Sequence, residues 1–343
     1  MSLNVLLPAV GAVLALIFAM ALFDQWRERR RGFQLIWAVG MLFFAIADAC
    51  EAIGAISGWN EPMYRTWYLT GAVFTAGWLG LGTAYLLGKT RFGYAYALLV
   101  FFGGFLAFVT RNTYGAGTIG LLALIAAAVI AIAIAIETYF QNERWPQIAA
   151  AAVVVASAVG AYFAFTDPLS APVPAQDAVP TGAAFSSPVR IFSLFLNVPG
   201  GIGLVLGAFF SAYVFMPKKR YLPYSLDPGQ KGDQFLFNLI IAVVAIPVNF
   251  VLSLPGAIVA LFTGHIHSRV PATLLIALGG LIVSGGDSLA RMGSTSLYSV
   301  AKLVGIALIF LGFLVSVEAF REIRIPFTGR VLRGARNEHS ATP

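Results

Sequence analysis

Five residues carry the chemical interest of this sequence. Asp48, Glu51, Asp287, Arg291 and Lys302 each lie within, or at the edge of, a long apolar run. A charged side chain at the centre of a membrane-crossing helix costs roughly 2.5–3.5 kcal/mol on insertion scales, so it faces a bundle interior or a cavity. Such groups are candidates for binding an ion or a small solute. Asp48 and Glu51 are three positions apart and Asp287 and Arg291 four, so each pair shares one helix face. At 1.5 Å per residue, both aspartates fall about 24 Å from the start of their runs, in the outer third of a bilayer. Glu51 and Arg291 then sit one turn further out, where an ion pair is expected and Lys302 could join it. Three roles are open to this group: an outer vestibule that binds a cation or takes up a proton, a buried ion pair that fixes packing, or side chains snorkelling to the headgroups.

A second polar group interrupts the apolar run 235–264: Asn249, Ser253 and Pro255, with Pro247 before them and Gly256 after. Other chemistries lack their residues. His265, His267 and His339 are the only histidines, and none lies in an expected span. A membrane haem or zinc site is therefore excluded, and the His265-x-His267 pair has no further ligand near in sequence. There is no HExxH, P-loop or CxxC pattern. Gly293-Ser294-Thr295-Ser296 has no histidine nearby to activate a hydroxyl. The expectation is a protein with no catalytic residue, no metal and no cofactor.

The elements that position these residues follow from composition. Of 343 residues, 59% are apolar and 11% charged, where a soluble domain carries about 25% charged residues. Continuous apolar runs rich in Ala, Leu, Ile and Gly read as membrane-crossing helices, each long enough for a ~30 Å hydrocarbon core. Alternating short segments of a β-barrel are absent. Nine spans are expected, near 3–23, 33–57, 66–88, 93–110, 118–139, 147–166, 191–216, 271–290 and 298–320. Together 1–320 forms one membrane domain; 321–343 is a basic, polar tail expected to be disordered. The segment 167–190, rich in Pro, Ala and Ser, reads as a flexible loop. With no basic stretch before it, the first apolar run reads as a span rather than a cleaved signal. Cys50 is the sole cysteine, so no intrachain disulfide is available.

Charge decides the topology. Lys and Arg cluster between apolar runs, as at Arg27–Arg31 and Lys218–Arg220, which is the pattern of the positive-inside rule and argues against nucleic acid as a partner. With the N-terminus outside and 235–264 not crossing, 17 of the 22 basic residues lie inside. If 235–264 crosses once, that bias nearly disappears. The segment has 30 residues, too few for two spans of about 20. A re-entrant pair of half-helices broken around Asn249, Ser253 and Pro255 fits length and punctuation; a single Pro-kinked tenth span is the alternative. The chain is thus expected in the cytoplasmic (plasma) membrane, N-terminus outside and C-terminus inside.

A repeat is also visible. Ala38-Val39-Gly40-Met41-Leu42, Asp48 and Gly54 have the spacing of Ala277-Leu278-Gly279-Gly280-Leu281, Asp287 and Gly293, and Tyr64, Leu69 and Gly71 match Tyr298, Leu303 and Gly305. The candidate units are 1–88 and 191–320, linked by helices over 93–166, a duplication known among transporters. Chance similarity among abundant Ala, Leu and Gly is the alternative. Gly203 and Gly207, and Gly80, Ala84 and Gly88, read as close-packing rows rather than dimerisation faces. Trp67 and Tyr68 read as an interfacial anchor.

From Trp37, Gly40 and Glu51 through Arg65-Thr66-Trp67-Tyr68-Leu69 to Trp78-Leu79, helices two and three resemble the membrane input region of bacterial seven-helix sensor kinases. The resemblance implies a shared helical scaffold, with no output domain in the sequence after the last apolar run and no functional residue to carry across. The leading expectation is a transporter-like protein moving or binding a small solute or ion. A non-catalytic accessory subunit or sensor, seated beside a membrane partner or a second copy of itself, is the alternative. A cavity reaching Asp48 or Asp287 would separate the two.

Overall fold

The computed structural model describes residues 2–176, 178–185, 188–218, 220–226, 229, 232–263, 267, 269–291, 297–316, 323–324 and 331–333. Ten helices account for almost all of them: α1 Leu3–Arg29, α2 Gly32–Ser57, α3 Glu61–Leu86, α4 Phe92–Val109, α5 Gly117–Tyr139, α6 Trp145–Thr166, α7 Val189–Phe215, α8 Gly232–Phe262, α9 Arg269–Arg291 and α10 Tyr298–Val315. All ten are long and apolar enough to cross a membrane. Without water to satisfy peptide groups, an apolar run of this length closes its own hydrogen bonds as a helix. The fold is the all-α polytopic bundle expected from composition.

Two of the helices are not regular. Tyr68–Thr75 of α3 and Val198–Ile202 of α7 are wound as π-helix. A wide turn displaces carbonyls from their usual donors. The side chains of Ser193 and Asn197 both donate to the Ala72 carbonyl, at 2.7 and 2.6 Å, and Thr75 donates to the Thr70 carbonyl at 2.8 Å. Glycine lets the two wide segments meet. A Cβ on Gly80 would stand 2.4 Å from the backbone of Gly200, and one on Gly200 2.3 Å from the Ala76 carbonyl oxygen. Gly207 packs likewise on Thr83, so both glycine rows serve packing inside the bundle, as expected.

The run 235–264 is a correction. It is not the expected pair of half-helices but one unbroken helix, α8, that takes Pro247 and Pro255 in its interior. Its first turns place Phe235 against Tyr94 at the start of α4 and Tyr139 at the end of α5. Midway, Phe250 meets Phe209 near the end of α7. Further on, Ala257 clusters with Tyr213 and Met216, again at the end of α7, and with Val270 at the start of α9. Helices α4 to α7 alternate in direction, so the first three of these termini share one end of the bundle, and contact with the end of α7 places the start of α9 there too. The end of α7 and the start of α9 meet directly, Phe215 stacking on His267 at 4.9 Å. Helix α8 therefore lies across that end, and the nine other helices run from end to end. The chain enters α1 and leaves α10 at opposite ends, as the non-crossing reading requires. Asn249 and Ser253 are on the buried stripe of α8. The Asn249 carboxamide accepts from Tyr221 N and Leu222 N and donates to the Leu222 carbonyl, each at 2.9 Å, which pins the α7–α8 loop. The polar punctuation of α8 holds a loop; it does not break the helix.

The loop after α6 is also ordered, against expectation. The Arg65 guanidinium donates to the carbonyls of Ala164 and Asp167, Gln176 donates to the Ile56 carbonyl, and the Tyr64 hydroxyl donates to the Thr181 carbonyl. Trp67 and Tyr68 lie buried beneath it with Tyr64 and Phe185 in an aromatic stack, so they are not a headgroup anchor. Within the tail, Ile323–Arg324 pairs antiparallel with Val331–Arg333; the rest of 321–343, where disorder is expected, lies outside the described residues.

Candidate functional site

The site lies at the end of the bundle opposite α8. On α2, Asp48 and Glu51 face the same way, and α10 brings Lys302 between them. The ammonium stands 2.5 Å from Asp48 Oδ1 and donates to Glu51 Oε2 at 2.6 Å. All three side chains are more than 90% buried. That burial excludes snorkelling for Asp48 and Glu51. Helix α1 closes on the same point without a side chain: a Cβ on Gly11 would fall 2.3 Å from Asp48 Oδ2. Around the ammonium, the rings of Tyr298 and Phe44 have their centres 4.8 and 5.9 Å away. Aromatic faces stabilise a cation held there.

A cavity of about 360 Å³ opens beside this cluster. Its walls include Asp48, Lys302, Asp287, Arg190, Asn197, Ser284 and Thr75, with Phe44, Trp67, Tyr68 and Tyr298 as aromatic surface. The two π segments form one wall through Ala72, Thr75, Val198 and Ile202, and Pro180, Thr181 and Gly182 of the ordered loop roof it. Wide turns recur at functional sites because they turn backbone and side chains toward a ligand. The volume suits a small molecule. Two carboxyl groups share one ammonium, an arrangement open to competition from a proton or a cation entering from the cavity.

Of the residues singled out in the sequence, Asp48 and Asp287 both reach the cavity, and Glu51 stands behind Asp48 on the same ammonium. Glu51 is held by Lys302; the expected Glu51–Arg291 pair involves the Arg291 side chain, which lies outside the described residues. Asn249, Ser253 and Pro255 are at the other end of the molecule. His267 caps the start of α9, its Nδ1 accepting from Arg269 N at 3.2 Å, while His265 and His339 are outside the described residues. Among the described residues, no group of three metal-ligating side chains comes together. Arg190, Asn197 and Tyr298 were not anticipated. The local signal for Asn197 was present, since Ser193 and Asn197 are four apart beside Pro199-Gly200-Gly201 in an otherwise apolar run.

Comparison with protein-family models, with curated proteins and with solved structures finds no match for this chain. Fold and site together define a polytopic helical membrane protein with a charged, roofed cavity at one end.

Proposed function

We propose that the protein is a membrane carrier that binds a small solute or ion in this cavity, with Asp48, Glu51, Lys302 and Asp287 as the groups that sense it. One observation carries the reading: the cavity reaches both Asp48 and Asp287 at membrane depth. An accessory subunit needs no such opening. The close Lys302 pairing fits both roles, since a carrier site holds its charges in pairs until a solute or proton competes for them. The basic loops flank the α8 end, and under the positive-inside rule this supports a cytoplasmic α8 end with the cavity outside. The plasma membrane is the corresponding location. Reciprocal packing supports the duplication: α1 of the first unit meets α10 of the second, while α7 of the second meets α3 of the first. Two units related in this way can rock against each other, one route to alternating access.

The test uses the full chain in detergent and in proteoliposomes with an entrapped pH dye. Small solutes are screened for a rise in melting temperature, and any that bind are assayed for flux. Asp48→Asn and Asp287→Asn are each expected to leave a folded protein with altered solute-induced shift and flux. Equal loss of folded protein in both, with no selective effect on binding or flux, would return these residues to a packing role. A stoichiometric membrane partner retained on gentle extraction, together with no solute response, would favour the accessory-subunit reading.

A further inference from the structure

Helix α8 presents a problem that the cavity does not address. Between Gln234 and Phe262 it has no charged residue, yet only one stripe of it packs on the bundle. Phe237, Ile240, Val244, Val259 and Phe262 are each more than 60% exposed. A helix lying across the bundle end with its outer face in water would leave this surface uncovered, at roughly 25 cal/mol per Å². Level supplies the answer. Its contacts run from Tyr139 and Met216 at the helix ends to Phe209, six residues inside the end of α7, so α8 lies within about 9 Å of those ends, the zone in which interfacial helices bury an apolar face beneath the headgroups.

Three cations stand at or just beyond these helix ends, each against an aromatic ring, Lys218 also donating to the Tyr213 and Val214 carbonyls that end α7. Lys218 Nζ is 5.0 Å from the centre of Tyr213, Arg220 lies 5.8 Å over Tyr224, and Arg269 lies 4.4 Å over Phe215. Tyr213 and Tyr224 join the first two through their hydroxyls at 3.4 Å. Burial, and the nearby charge of Arg220, pull the Lys218 ammonium below its ordinary value. An anion at this point relieves that repulsion.

We propose that α8 is a monotopic helix embedded in one leaflet, and that Lys218, Arg220 and Arg269 beside it hold the headgroup of an anionic phospholipid. The apolar face of α8 and the three cations lie at one end of the bundle, and their charge selects an anionic lipid as the occupant, with its acyl chains along α8 and its phosphate at the cations. Juxtamembrane cations attract anionic lipids at about a fivefold gain each. This inference is independent of the cavity reading.

The experiment has two arms, both on the full chain. In the first, Val244→Cys in a Cys50→Ser background carries an environment-sensitive fluorophore in reconstituted vesicles. Quenching by lipids brominated on the acyl chain, and not by aqueous iodide, is the expected result. Iodide quenching, or protection from both quenchers with cross-linking between copies, would overturn the leaflet position. The second arm measures retention of phosphatidylglycerol over phosphatidylcholine by native mass spectrometry. Lys218→Gln, Arg220→Gln and Arg269→Gln are expected to lose about fivefold each, and excess inorganic phosphate is expected not to compete. Unchanged retention in all three variants, or displacement of the lipid by phosphate, would sink the headgroup site.

Discussion

The seam between α2 and α10 and the wing formed by α4, α5 and α6 lie in the same bilayer and are closed by opposite means. In the wing, backbones meet where side chains are missing. A Cβ on Gly104 would stand 2.2 Å from the Ala127 Cβ, and one on Gly93 2.0 Å from Thr138 Oγ1. The seam also uses glycine, at Gly11, but what the glycine admits there is a carboxylate. Small residues bring helices together cheaply in lipid, where apolar surface gives no net drive. Charges in the same setting are costly. The wing is thus closed by packing alone and the seam by paired charge, and the proposed carrier role draws on the seam.

The sharpest attempt to break that division is Lys302→Met. It leaves Asp48 and Glu51 buried with no cation between them, and breaking a buried pair this way costs about 3–5 kcal/mol. Thermal unfolding in detergent is expected to show this loss, with most of it recovered by adding Asp48→Asn and Glu51→Gln. No recovery in the triple variant would mean that the ammonium stabilises the seam by itself, through its hydrogen bonds and the Tyr298 and Phe44 rings, and not only by neutralising the two acids. Next in size is Gly104→Val in the wing. Overpacking against Ala127 is expected to cost about 1–3 kcal/mol, with the solute response of the cavity unchanged. Gly11→Ala inserts a smaller group, and its effect should be the inverse in kind. A modest loss of stability, about 1 kcal/mol, is expected because the Asp48 carboxylate must move, together with a clear change in solute binding. If Gly104→Val altered binding and Gly11→Ala did not, the division between the two regions would be wrong. The smallest effect is expected for Trp78→Phe, which removes the 3.2 Å bond to Ser157 Oγ that ties α3 to α6, at about 0.5–1.5 kcal/mol and without change in binding.

The helices were legible because apolar length alone specifies them. The place of α8 across one end was half legible. Charge counting favoured a segment that does not cross, but Asn249, Ser253 and Pro255 suggested a break, because sequence does not reveal that a loop 28 residues earlier supplies the partners of Asn249. Asp48 and Glu51 were legible as rare acids on one face, and so was Lys302 as a neighbour. Their convergence on one ammonium was not, since it depends on how α10 docks 251 residues away. Arg190 and the roof at Pro180–Gly182 gave no warning, because a stretch rich in Pro and Ala looks mobile until a buried arginine, Arg65, is seen to hold its first carbonyls.

The π turns of α3 have a further consequence, which concerns phase. Each residue advances the facing direction of an α-helix by about 100°, and a wide turn holds surplus residues without lengthening the rod to match. The first half of α3 aims Tyr64, Trp67 and Tyr68 at the roof, while its second half aims Gly77 and Gly80 at α7. Both aims depend on the surplus carried by Tyr68–Thr75. Losing a single residue there would rotate the glycines off their contact and put bulkier neighbours in their place. Helix α3 thus tolerates exchange of side chains far better than any change in its count of residues.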